Sequence, residues 1–96
     1  MAYVVVATWV AKPGQAEKIR QILETVTPGN RAEEKMLEFQ AHVSRDDPDT
    51  FVLYEKYVDA SGYADHRATD AFKKHVLGEA IPNLAERSVR EFETIG

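Results

Sequence analysis

An α+β fold in the order β-α-β-β-α-β, the split βαβ or ferredoxin-like arrangement, is predicted by three observations. Two runs, Tyr3 to Ala11 and Phe51 to Val58, are rich in β-branched and aromatic residues. The stretch Gly14 to Val26 places Ala16, Ile19, Leu23 and Val26 at helical spacing. The short acidic link Asp46 to Thr50 joins two strand-like runs and makes them a hairpin.

The first strand, Tyr3 to Ala11, ends in the turn Lys12-Pro13-Gly14. The helix that follows carries Glu17, Lys18, Arg20 and Glu24 on its outer side, and Thr27-Pro28-Gly29-Asn30 is expected to break it. Arg31 to Lys35 adds one short turn. Met36 to Ser44 then alternates, with Leu37, Phe39, Ala41 and Val43 on one face and Glu38, Gln40 and His42 on the other. Phe51 to Val58 is bounded by Asp59-Ala60-Ser61-Gly62. Ser61 is the expected N-cap of a short helix through Arg67, and Thr69 that of a second helix with Phe72, Val76 and Ala80 on one side. Gly78 and Pro82 predict a kink near Ala80 to Asn83, before a weak last strand, Ser88 to Ile95, at a sheet edge.

Helices in this layout cover one face of the sheet. Yet Tyr3, Val5, Ala7 and Trp9 alternate with Val4, Val6, Thr8 and Val10, so the first strand is apolar on both faces. A strand of that kind needs a second cover. A partner's sheet in a two-fold homodimer would supply it.

The 96 residues fit one domain, 1–96, whose own core is thin. With no cysteine, disulfides and thiolate metal sites are excluded, which leaves oligomerisation as the natural support. Sixteen acidic against twelve basic residues give a net charge of −4, without the basic footprint that nucleic acid requires. No apolar run approaches a membrane span, and Met1-Ala2-Tyr3 begins no signal peptide. The expectation is a cytoplasmic protein.

No metal-ligand spacing, phosphate-cradling glycine loop or nucleophile elbow is present. His66, in the short helix, follows Glu55 of the preceding strand closely enough for the two to meet. A carboxylate beside an imidazole orients it and raises its basicity, as a general base requires. The plainer reading is a packed helix histidine bonded to a backbone carbonyl. By strand parity Glu55 shares a face with Phe51, Leu53 and Tyr57, and an acid on such a face favours function. His75, beside Lys73 and Lys74, is expected to point to solvent, and His42 to lie on the wetter or dimer-facing side. Trp9, Phe39, Tyr57 and Phe72 read as core aromatics, and a pocket lined by aromatics would look the same.

The run Phe51-Val52-Leu53-Tyr54-Glu55-Lys56-Tyr57, with Asp59, His66, Thr69 and Phe72, resembles the F-x-L-Y-E-x-Y/W … D … H-x-x-T/S-x-x-F signature of the antibiotic-biosynthesis-monooxygenase (ABM) family. Asp46-Asp47-Pro48 and Lys12-Pro13-Gly14 agree with it, so the similarity spans nearly the whole chain. The resemblance implies a dimeric α+β barrel with one pocket per subunit between sheet and helices. Relatives include cofactor-free oxygenases of quinols and polyketide anthrones, haem-degrading monooxygenases and an autoinducer-processing enzyme. Many members carry Gly-Cys before the second strand, where this chain has Lys35-Met36. The haem-degrading relatives use an Asn, a Trp and a His ligand where this chain has Ala7, His66 and a His75 about one residue out of register. That argues against haem degradation.

The resemblance therefore implies a cofactor-independent monooxygenase acting with molecular oxygen on a small quinol, phenolic or polyketide-like aromatic. His66 and Glu55 would be catalytic, and Tyr54, Tyr57, Phe72 and Trp9 would bind substrate, with Tyr54 or Tyr57 donating a hydrogen bond to the developing oxyanion. No cofactor or metal is called for. An isomerase or lyase using the same acid–base pair, and a non-enzymatic ligand-binding dimer, are the alternatives.

Overall fold

Strand β1 (Tyr3–Ala11) lies inside a four-stranded antiparallel sheet, between β3 (Thr50–Tyr57) and β4 (Leu84–Glu93), with β2 (Met36–Val43) beyond β3. The computed structural model describes residues 1–96, and the order of its elements is the ferredoxin-like β-α-β-β-α-β. Helix α1 (Ala16–Arg31) leads to edge strand β2 (Met36–Val43), and a hairpin leads back through β3 (Thr50–Tyr57). The second helical segment is split into α2 (Ala60–Ala68) and α3 (Phe72–Ala80), the latter wound as a π-helix. A 3₁₀ turn at Ile81–Asn83 then feeds edge strand β4 (Leu84–Glu93). No helix is long and apolar enough to cross a membrane.

Register divides the sheet into two faces. Val5, Ala7 and Trp9 pair with Glu55, Leu53 and Phe51 of β3, so all six project towards the helices. This face meets Ile19, Ile22 and Leu23 of α1 in the main core. The outer face carries Val6, Thr8, Val52 and Tyr54, all half-buried, with Phe92 and His42 more exposed.

Four local expectations are corrected. Helix α1 does not break at Thr27-Pro28-Gly29-Asn30 but continues to Arg31. Pro28 forfeits one hydrogen bond, to Glu24, on the exposed side, while the buried stripe runs on through Val26 to Asn30 and holds the last turn in place. In β2 the register shifts between Met36 and Glu38, so Met36 joins Tyr57 on the inner face and Leu37 turns outward, 56% exposed. The cap of α2 is Asp59, whose carboxylate accepts from the Ser61 amide at 2.9 Å. Strand β4 begins at Leu84, four residues before Ser88, because backbone pairing with β1 extends through charged residues that show no alternation. It is an edge strand, and the predicted break after Ala80 is the 3₁₀ turn.

Candidate functional site

The inner face of the sheet, α2 and α3 converge on His66. Asp59 fixes the start of α2, and Lys35 ties its outer side through Asp65 at 2.9 Å and Ser61 at 3.0 Å. Gly62 sets how closely α2 approaches the sheet. A Cβ there would stand 2.9 Å from Tyr57 Cβ and 3.0 Å from Lys35 Cβ, closer than packed atoms tolerate. Thr69 then closes one helix and opens the next: its hydroxyl donates to the His66 carbonyl at 2.8 Å and accepts from the Phe72 amide at 3.1 Å. His66 is thereby held over Tyr57, ring centroids 6.1 Å apart, and edge-on to Phe72 at 5.3 Å.

The carboxylate that orients His66 is Glu33, and the expected pairing with Glu55 is corrected. His66 Nδ1 lies 3.0 Å and 2.9 Å from the two carboxylate oxygens of Glu33, in the turn between α1 and β2. An acceptor-only carboxylate there places a proton on Nδ1, so in the neutral ring the lone pair lies on Nε2. The imidazole is 4% exposed, whereas Glu33 reaches the surface, so the pair links a buried base to solvent. No sequence signal marked Glu33, which stands in the charged surface-like run Glu33-Glu34-Lys35.

Glu55 has a different partner. Tyr57 Oη donates to its Oε1 at 2.6 Å, and both side chains are buried. Burial pushes the Glu55 carboxyl above the usual carboxylate range, an effect partly offset by the Tyr57 hydrogen bond and by nearby His66. The Tyr57 hydroxyl is pushed up in turn, by burial first and then by Glu55. It therefore stays protonated, and its proton is committed to Glu55 rather than free for a ligand.

Between sheet and helices lies a narrow, mostly apolar cavity of about 20 Å³, lined among others by Trp9, Glu55, His66, Phe72 and Val76. Arg87 of β4 brings a cation to its wall, a second residue with no sequence signal. Tyr57 stands beside these groups, so five of the six predicted residues are brought together. Tyr54 is not among them. It projects from the outer face and lines a shallow hollow of about 310 Å³ with Val6, His42 and Val52, because strand alternation sets it opposite Glu55. A wider groove of about 220 Å³ between α1 and β2 has Glu24 and His42 in its lining, with His42 Nδ1 3.1 Å from the Val52 carbonyl oxygen. His75 is half-buried and bonded to Glu79 at 2.6 Å rather than directed to solvent, and His42 is exposed on the outer face beside the Val52 carbonyl. No three histidine or acidic side chains form a metal-binding cluster.

The chain is similar in structure to protein SO0527 from Shewanella oneidensis, at 26% identity over 95% of this chain and 88% of that one, with a TM-score of 0.89. It is similar to PA3566 from Pseudomonas aeruginosa, at 23% identity over 99% and 95% of the two chains, with a TM-score of 0.92. A structure described as antibiotic biosynthesis monooxygenase aligns over 98% of this chain and 99% of that one at 21% identity, with a TM-score of 0.91. No curated protein matches significantly. The family profile described as "Antibiotic biosynthesis monooxygenase" (ABM) matches residues 2–76.

Proposed function

This chain belongs to the antibiotic biosynthesis monooxygenase family, and from that premise we propose that it oxidises a small phenol or quinol with molecular oxygen, without a cofactor. The observation that carries this reading is the His66–Glu33 pair, which leaves Nε2 unbonded at an apolar cavity shared with Glu55.

A phenol gives electrons to oxygen readily only as its anion. His66 Nε2 takes the hydroxyl proton, and Glu33 stabilises the imidazolium that results. The anion transfers an electron to oxygen, the two radicals join in a carbon–oxygen bond, and a hydroperoxide forms with the proton returned by His66. Loss of water from that hydroperoxide breaks the O–O bond and leaves a carbonyl. One oxygen atom stays in the product, the other leaves as water, and the substrate supplies all the electrons. Glu55, whose carboxyl burial pushes above the usual carboxylate range, stands at the same cavity as the second acid–base group. Arg87 adds positive charge at the cavity wall.

The cavity is water-sized, so an aromatic substrate enters only when its wall moves. Phe72 and Val76 belong to α3, whose π winding replaces regular helical hydrogen bonds, and this is the element that yields. The protein works as a homodimer in which the outer face of the sheet, with Val6, Val52, Tyr54 and Phe92, packs against a second copy. Support comes from the half-buried apolar residues of that face.

A second reading has its own support: a base at His66 facing an acid at Glu55 also suits a proton-transferring isomerase. Oxygen uptake separates the two. Purified protein without added metal or flavin is expected to consume oxygen with some member of a quinol and anthrone panel, and His66→Ala to abolish it. Turnover of a carbonyl substrate without oxygen uptake would replace the oxygenase with the isomerase. Unchanged uptake in His66→Ala would remove the histidine from the mechanism.

A further inference from the structure

We infer that the indole N–H of Trp9 is the hydrogen-bond donor for an acceptor oxygen of the bound ligand, so that the site selects phenols carrying a second, carbonyl-type oxygen remote from the hydroxyl that ionises. The inference rests on the reading of this cavity as the substrate site.

Trp9 is 3% exposed and lines the cavity, yet Nε1 is the single buried side-chain nitrogen or oxygen in the molecule with no hydrogen-bond partner. Buried indole N–H groups are ordinarily paired, because a donor without an acceptor forfeits its hydration for nothing. The surrounding polar groups do not supply one. Glu55 is engaged by Tyr57, Arg87 offers donors only, and the buried Asn30 side chain in the same lining makes no hydrogen bond to the indole. A cavity of about 20 Å³ admits little more than one acceptor atom beside the indole before the wall moves.

The placement of Trp9 also sets the shape of the ligand. Trp9 pairs with Phe51, whereas Glu55 pairs with Val5, four residues away along β1. At about 3.4 Å per residue the two backbone positions are roughly 14 Å apart. One end of the cavity therefore holds His66 and Glu55, and the other the neutral indole N–H, with Arg87 as the residue paired with Trp9 on β4. A neutral donor favours a ketone or quinone oxygen over a methyl group, and a ligand lacking that oxygen leaves the indole unpaired. Phe72 and Leu53 contribute apolar surface to the same cavity, which suits an aromatic frame.

The test compares two probes under anaerobic conditions: para-butylphenol, and its counterpart in which one side-chain methylene remote from the ring is a ketone. Trp9 is the only tryptophan, so the protein has a single indole N–H resonance. The ketone is expected to move that resonance downfield on saturation, and the alkylphenol to leave its position nearly unchanged. In Trp9→Phe, affinity for the ketone should fall roughly tenfold while that for the alkylphenol changes little. The indole shift is read in the native chain, so it decides the matter even if the variant fails to fold. Equal indole responses to both probes, or no binding of either, would overturn the assignment. Because no oxygen is present, ketone discrimination without later oxygen uptake upholds the Trp9 assignment while removing the oxygenase. Oxygen uptake without ketone discrimination does the reverse.

Discussion

His66 and Glu33, thirty-three residues apart, meet through Nδ1 and both carboxylate oxygens at 3.0 and 2.9 Å. The geometry fixes both the tilt and the tautomer of the ring. Glu33→Gln retains an acceptor oxygen of the same shape but loses the charge that stabilises the imidazolium. Activity should fall by about 10- to 100-fold in kcat with little change in KM, a loss typical of groups that orient a functional histidine. Steady-state rates, with the pH profile of kcat, check it. A profile and kcat equal to those of the parent would reduce Glu33 to a surface contact.

Much of this site was legible in the sequence, and what was not has a physical reason. Strand parity placed Glu55 beside Phe51, Leu53 and Tyr57 because alternation is rigid within an unbulged strand. The same rule sets Tyr54 on the opposite face, which a motif of consecutive residues does not express. Leu37 escaped the parity rule because a bulge shifts the register beside it. Glu33 was invisible for a different reason. It comes from a turn, where no periodicity operates, and reaches His66 only through the close approach of α2 to the sheet at Gly62. Pro28 misled because local propensity favours a break, whereas packing of Val26 and Asn30 decides the outcome.

Gly62 is the position where that close approach is most exposed to test. The close contacts of its notional Cβ are with the Cβ and ring of Tyr57, buried and unable to retreat, and with Lys35. Gly62→Ala would normally favour a helix, since alanine is the better helix former by about 1 kcal/mol. Here overpacking should win, with a net loss of about 1–3 kcal/mol in stability. Urea denaturation followed by circular dichroism reads the change. A variant as stable as the parent would show that α2 can shift away from β3 at no cost.

Glu55 predicts a pH effect whose sign is opposite to that of an ordinary paired carboxylate. Burial raises its value in the folded chain above that in the unfolded chain. Its favourable share of stability is therefore complete below the unfolded carboxylate value. That share is lost as pH rises through the folded value, where the native state must accept a buried charge. Glu55→Gln can still accept the Tyr57 hydrogen bond but does not titrate. The variant should thus gain stability relative to the parent as pH increases from the acidic range to neutrality. Parallel urea titrations at several pH values measure the difference, and a gap that is constant with pH, or narrows, contradicts the assignment.

The outer face of the sheet carries the last prediction. Val6 lies in the middle of β1, between Tyr54 of β3 and Arg90 of β4, in a shallow hollow that it shares with Val52 and His42. An acid at that point costs little in the fold of one chain, because Val6 is only half-buried there. In a sheet-on-sheet dimer it would be enclosed by a second copy and would meet its own symmetry mate nearby, two like charges in a poorly solvated layer. Val6→Glu should therefore convert a dimer to a monomer with an unchanged far-ultraviolet spectrum. The expected loss in association is about 3–5 kcal/mol, on the scale of a buried charge left without a partner. Sedimentation velocity across a hundredfold concentration range reads it directly. A parent chain that sediments as a monomer throughout would remove the proposed dimer, and a Val6→Glu variant that stays dimeric would move the interface to another surface.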